Sequence, residues 1–243
     1  MIIISAGIVY RAFSIEKSID PHLQTELVIK RDIIEVKTED EAVEKTASEK
    51  EETPPKEQPL KKTVFLPAPY TCQAPFAQWD YLHENACEEA ALLIVHYYLS
   101  GKKFKDNFIP RDLADKEIKE MVASQMKIFG RHKDLYEKDF VKFIKKYYGY
   151  KNIKVIHNTQ TINIKKELSK GNPVIIPARA KLLQNPYYHH PGYHMLVAIG
   201  YDKSGKIITN DPGTKRGQNY KYDPKILKKA YDFEGGWTVV VEK

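Results

Sequence analysis

Asn85-Ala86-Cys87-Glu88-Glu89-Ala90-Ala91-Leu92-Leu93 sets a cysteine at the opening of an apolar helix. Alanine and leucine are strong helix formers and carboxylates suit a first turn, so the helix begins at the cysteine itself. Unpaired N–H groups and the positive end of the helix dipole favour thiolate over thiol there, and the thiolate is the nucleophilic form. Free cysteines are also among the most buried residue types, so position alone does not separate a reactive thiol from a core one. The separation comes from the residues that accompany it.

A nucleophilic thiol needs a group to take its proton and a third to orient that group. His194 in Gly192-Tyr193-His194-Met195-Leu196-Val197 and Asp211 in Thr209-Asn210-Asp211-Pro212-Gly213 follow in that order. His194 opens the apolar run to Ile199, which reads as a rigid strand, whereas His189 and His190 precede Pro191 in a loop and read as rim or surface residues. His83 lies four positions before Cys87 and is a further contender. Cys72, beside Gln73 in a loop, reads as a packing thiol, and a Cys72–Cys87 bridge would consume the nucleophile.

Working outward, the Cys87 helix should stop near Ser100-Gly101, with glycine as its end signal. A second helix is predicted over about Arg111 to Phe129, with Leu113, Ile118, Met121, Val122 and Met126 on one face. A third spans about Glu137 to Tyr148, carrying Phe140, Val141 and Ile144 at three- and four-residue spacing. The period then changes. Ile153–Ile156, Pro173–Ala178, His194–Tyr201, Lys206–Thr209 and Trp237–Val241 read as strands, and Ile162–Leu168 and about Pro224–Tyr231 as helices. Helices first and strands later indicate an α+β fold.

The 243 residues divide by composition into three parts. Residues 1–19 open on Met1-Ile2-Ile3-Ile4, an apolar stretch about half the ~20 residues a membrane helix requires. It lacks the basic start of a signal peptide and reads either as a buried strand or as the tail of a truncated anchor. Residues 20–62 are charged and poor in aromatics, a composition that cannot offset ordering entropy, and read as a flexible linker. Residues 63–243 form the folded domain. A tether would place that domain at a membrane or outside the cytoplasm; a buried strand would leave it cytoplasmic. Oligomeric state is not legible.

Met1 to Lys62 holds 10 basic and 13 acidic residues, while Thr63 to Lys243 holds 29 and 19. The basic balance of the domain reads as a lysine-rich solvated surface, because Lys145-Lys146, Lys165-Lys166 and Lys228-Lys229 fall within helical patterns. No basic run interleaved with aromatics and no finger or P-loop signature points to nucleic acid. Two cysteines are too few for a disulfide framework. His189, His190, His194 and Asp211 include metal-ligand types, but adjacent histidines on extended chain diverge and no His-x-x-x-His or paired-cysteine motif is present, so no metal is expected.

Four elements in order, Pro69-Tyr70-Thr71-Cys72-Gln73-Ala74-Pro75-Phe76-Ala77-Gln78-Trp79, Ala86-Cys87-Glu88-Glu89-Ala90, Gly192-Tyr193-His194 and Asn210-Asp211-Pro212-Gly213, resemble the peptidase C39-like domains of the papain-like superfamily. The resemblance spans about Thr63 to Lys243. It implies a papain-like fold with a helical first half, the nucleophile helix packed on an antiparallel sheet. It also implies that Cys87 attacks a carbonyl, His194 exchanges the proton, Asp211 orients the imidazole and Gln73 donates to the oxyanion beside the Cys87 N–H. The function implied is a cysteine hydrolase, peptidase or amidase, acting on a peptide-like amide without a cofactor. Acyl transfer by the same triad and a non-catalytic peptide or cell-wall binding module are the alternatives.

Two features depart from the family pattern. Fourteen positions separate Gln73 from Cys87, a long interval that a looped insertion must fold back, with Gln78 as competitor for the oxyanion. Glu88-Glu89 stand where C39 leader peptidases tend to have Gly-Pro, and would raise the thiol pKa somewhat. Trp79, Tyr188 and Tyr193, with Tyr81 and Tyr187, are expected to wall a peptide groove.

Overall fold

The computed structural model describes residues 60–188 and 191–242. The apolar segment, most of the charged linker and His189 and His190 therefore lie outside the described residues. Among the described residues no helix is long and apolar enough to cross a membrane.

The chain enters through β1 (Val64–Phe65), a one-turn helix α1 (Tyr81–Glu84) and α2 (Cys87–Ser100). Helix α2 has no side-chain cap at Ala86 and ends at Gly101, whose φ of 72° is the left-handed stop glycine supplies at little cost. Ala90 to Val95 are all fully buried, so α2 is a central helix rather than an amphipathic surface one. Helices α3 (Arg111–Phe129) and α4 (Glu137–Tyr147) follow; α3 packs on α2, and α4 on α3.

Ile118, Met121, Val122 and Gln125 form the buried stripe of α3 at i, i+3, i+4 and i+7. Met126 lies one position past that stripe and is 47% exposed, so it is not part of the core face expected for it. The same geometry on α4 buries Phe140, Phe143 and Ile144 and leaves Val141 only half-buried.

The second half is one antiparallel sheet, built from β2 (Ile153–Ile156), β3 (Val174–Arg179), β4 (Tyr193–Tyr201), β5 (Ile207–Asn210), β6 (Tyr220–Tyr222) and β7 (Thr238–Val241) in the order β2-β7-β3-β4-β5-β6, with β1 pairing β4. All nine residues of β4 are buried, and α2 packs against it. Strand β3 carries Pro177, which has no N–H to give. It pairs with β7 only at Ile175↔Val239, so the proline falls where that partner has already left. Helix α5 (Thr161–Lys170) packs along β4 and α6 (Pro224–Phe233) on β3. Asp223 caps α6 by accepting from the N–H groups of Lys225 and Ile226, with Pro224 at the first helical position. The architecture is the expected α+β arrangement, a buried helix packed on an antiparallel sheet, with α1 and β6 beyond the elements read from the sequence.

Candidate active site

His194 stands second in β4, where its pairing with Ala178 of β3 fixes the backbone, and its side chain is 6% exposed. Its Nε2 meets Oδ1 of Asp211 at 2.8 Å. The same oxygen accepts the Gly213 N–H at 3.1 Å, while Oδ2 accepts hydroxyls from Tyr222 at 2.5 Å and from Tyr188. Burial alone would raise the Asp211 carboxyl, but His194 and the two tyrosines outweigh it and hold the group below the usual carboxylate range. Asp211 is therefore an anion with four donors around it, which fixes the imidazole through one nitrogen and leaves Nδ1 for other work.

The loop bearing Asp211 is stitched to the segment before α1. Asn210 Nδ2 donates to the carbonyls of Ala68 and Pro69 at 2.9 and 3.2 Å, the Tyr70 hydroxyl donates to the Asp211 and Thr214 carbonyls, and the Gln73 N–H donates to the Pro212 carbonyl at 2.9 Å. Two glycines make the packing feasible. A Cβ on Gly213 would lie 2.6 Å from Tyr188 Cε1 and 2.8 Å from His194 Cε1, and one on Gly217 would lie 1.7 Å from the Asp211 carbonyl oxygen.

Those stitches bring Gln73 to the site despite the long interval in sequence. Its Nε2 donates to the carbonyls of His83 and Glu84 at 2.8 and 3.1 Å, and its Oε1 is buried with no partner among the described residues. The α1 turn that supplies those carbonyls is held by the buried His83 ring, with Nδ1 2.7 Å from Asp80 Oδ1 and Nε2 3.0 Å from Asp115 Oδ1. His83 thus belongs to the scaffold behind Gln73. The pairing with Asp115, thirty-two residues away, leaves no local signal in the sequence.

Cys87 is the first residue of α2 and is buried. Two features of its surroundings oppose the thiolate that the helix opening favours. Burial, then the adjoining Glu88 carboxylate, push the Cys87 thiol well above its ordinary value. The thiol donates to Glu88 Oε2 at 3.0 Å, and Glu88 Oε1 accepts the Leu135 N–H at 2.6 Å. Glu89 is equally buried and accepts from Gln125 Nε2 at 2.9 Å. Both carboxylates are buried, Glu88 against the α3–α4 connection and Glu89 against α3, and they raise the thiol pKa as the sequence indicates. Cys72 is also buried, its thiol pushed up to about 11 chiefly by burial, and both cysteines are free.

One cavity of about 340 Å³ is lined by Cys87, His194, Gln73, Trp79, Tyr188 and Tyr193, together with Glu84, Ala180 and Gly213. Of the two candidate glutamines, Gln73 reaches this cavity and the exposed Gln78 does not. Trp79, Tyr188 and Tyr193 all contribute to its wall, but the hydroxyls of the tyrosines are already engaged, Tyr188 on Asp211 and Tyr193 on the Leu135 carbonyl at 3.1 Å. Tyr187 lines a neighbouring depression with Trp79, and Tyr81 is 71% exposed away from the cavity. Among the described residues no group of three His, Cys, Asp or Glu side chains is arranged to hold a metal ion.

A thiol on the first turn of a buried helix thus shares a cavity with an imidazole from a central strand of an antiparallel sheet. The sequence matches the Peptidase_C39-like family over residues 66–239, and the chain belongs to that family. No curated protein sequence matches it. Among solved structures, a Bacillus anthracis protein described as a C39-like peptidase is 16% identical, with 74% of this chain and 98% of that one covered and a TM-score of 0.53. Xylellain, a cysteine protease from Xylella fastidiosa, is 13% identical over 76% of this chain and 87% of its own, with a TM-score of 0.48. Digestive procathepsin L 3 of Tenebrio molitor is 8% identical over 77% and 72%, with a TM-score of 0.49.

Proposed function

We propose that this protein is a cysteine peptidase or amide hydrolase working through Cys87, His194 and Asp211, with Gln73 assisting at the oxyanion. The observation that carries the reading is the shared cavity of Cys87, His194 and Gln73, combined with the 2.8 Å link from His194 Nε2 to a buried Asp211.

His194 Nδ1 takes the Cys87 proton as the sulfur attacks a substrate carbonyl, and the resulting imidazolium is stabilised by the Asp211 anion. The tetrahedral oxyanion lies by the N–H groups at the start of α2, which have no partner within the helix. Gln73 joins them by exchanging its longer bond, the 3.1 Å contact to the Glu84 carbonyl, for one to the oxyanion. Loss of such a donor costs about 3–4 kcal/mol in barrier. His194 then protonates the leaving amine, and water activated by the same ring hydrolyses the thioester. The aromatic wall of Trp79, Tyr188 and Tyr193 suits an extended peptide-like substrate.

A peptide library profiled with the wild-type protein, Cys87→Ala and Cys72→Ala tests the reading. Cleavage by the wild type and Cys72→Ala, and none by Cys87→Ala, is expected. Cleavage that survives in Cys87→Ala removes this mechanism, and peptide binding without cleavage by any of the three favours the binding module.

A further inference from the structure

Glu88 occupies a place the hydrolytic mechanism above does not use. It follows the nucleophile directly, is wholly buried, and has both oxygens committed: Oε2 to the Cys87 thiol at 3.0 Å and Oε1 to the Leu135 N–H at 2.6 Å. The second contact ties the carboxyl to the connection between α3 and α4, so its position does not depend on a free side-chain rotamer. The ionisable groups facing it are Cys87 and Glu89 on α2, Asp134 and Tyr136 on the connection before α4, and Tyr193 on β4. None of them is a cation that would hold Glu88 in its charged form.

We infer that Glu88 is a proton gate on Cys87: the thiolate–imidazolium pair with His194 forms when Glu88 is neutral and is suppressed when Glu88 is ionised. The inference rests on the hydrolase reading for the role of His194. In the open state Glu88 donates its O–H to Sγ, and the Cys87 proton passes to His194 Nδ1, so that one S–H bond breaks, one N–H bond forms and no proton leaves the site. In the closed state Glu88 has lost its proton to solvent and accepts the S–H of a neutral thiol. Ionising Cys87 then would set two anions 3.0 Å apart between buried side chains, where their repulsion is weakly screened.

The direction with pH follows from burial, which pushes the Glu88 carboxyl up to about 7 despite the contacts from Cys87 and Leu135. Below that value the gate is open, and above it closed. An isolated cysteine behaves in the opposite way, its reactivity rising with pH as the thiolate fraction grows.

The test is the rate of iodoacetamide alkylation at Cys87, read by peptide mass spectrometry across pH 6 to 9, with Cys72 as internal reference. In the wild type the Cys87 rate is expected to fall by about tenfold per pH unit above about 7, as a single proton is lost, while the Cys72 rate climbs. Glu88→Gln keeps an acceptor for Leu135 and cannot ionise, so its Cys87 rate is expected not to fall. A wild-type Cys87 rate that climbs in parallel with Cys72, or an alkaline fall that persists in Glu88→Gln, overturns the gate. His194→Ala separates the two readings: alkylation that drops in this variant yet climbs with pH in the wild type sinks the gate alone, whereas alkylation indifferent to His194 sinks the hydrolase reading and the gate with it. If Glu88→Gln does not fold, carbon NMR of the wild-type glutamate carboxyls decides. A Glu88 signal titrating near 7 supports the gate, and one in the ordinary carboxylate range overturns it.

Discussion

The Tyr222 hydroxyl donates to Oδ2 of Asp211 at 2.5 Å, from a three-residue strand that ends eleven positions further along the chain. With Tyr188 on the same oxygen, it lets a buried carboxylate remain charged behind His194 while Oδ1 faces the imidazole. Hydrogen bonds to ionised groups contribute about 1.5–3 kcal/mol each, more than neutral ones, so these tyrosines matter to both folding and chemistry.

Tyr222→Phe is accordingly expected to lower unfolding stability by about 1–3 kcal/mol at neutral pH. Because the folded-state pKa of Asp211 lies below its unfolded value, its contribution is present above about 4 and fades as pH falls through the folded value. Removing a donor raises that folded value, so acid unfolding of the variant should begin at higher pH than in the wild type. Urea titrations at a series of pH values check this; an acid transition unchanged in position would contradict it.

Gly213→Ala probes the packing between Tyr188 and His194. A methyl group 2.8 Å from His194 Cε1 must displace the ring, and it meets Tyr188 even sooner. Turnover should fall at least about tenfold, since small misplacements of a reacting group cost on that scale or more, with circular dichroism showing the fold retained. Gly217→Ala should be the more damaging change for stability, because the clash is with backbone at 1.7 Å rather than with side-chain atoms. Equal melting temperatures for the two variants would argue against this geometry.

His83→Gln tests the scaffold behind Gln73. Without the ring, Asp80 and Asp115 lose their common partner and the α1 turn loses its tie to α3. The Gln73 amide shifts with the His83 and Glu84 carbonyls that hold it. The expected outcome is a several-fold lower kcat with a smaller change in KM, because the oxyanion is bound in the transition state and not in the ground state. A change confined to KM would place His83 in substrate binding instead.

How far this was legible in the sequence depended on whether the governing contact was local. Helix α2 could be bounded closely because Gly101 announces its end within the chain itself, and α3 because its apolar spacing is local. The α+β order and the strand of His194 followed from a change in apolar period. Strand β6 was not legible, since Tyr220–Tyr222 is too short to show alternation and exists through its pairing with β5. The tyrosine cradle of Asp211 and the Asp80–His83–Asp115 chain join residues brought together only by the sheet and by helix packing. The effect of Glu88 on the thiol was legible, but its burial was not, for a related reason. A carboxylate in a first turn normally faces water, and only the connection closing over α2 turns it into a buried partner of the thiol.

The most direct measurement is the intact mass of the protein quenched in acid during turnover of an N-acetylated peptide p-nitrophenyl ester. One acyl group on Cys87, absent from Cys87→Ala and from His194→Ala, is the predicted result. Ester turnover that continues in Cys87→Ala, or an adduct on any other residue, would contradict the account.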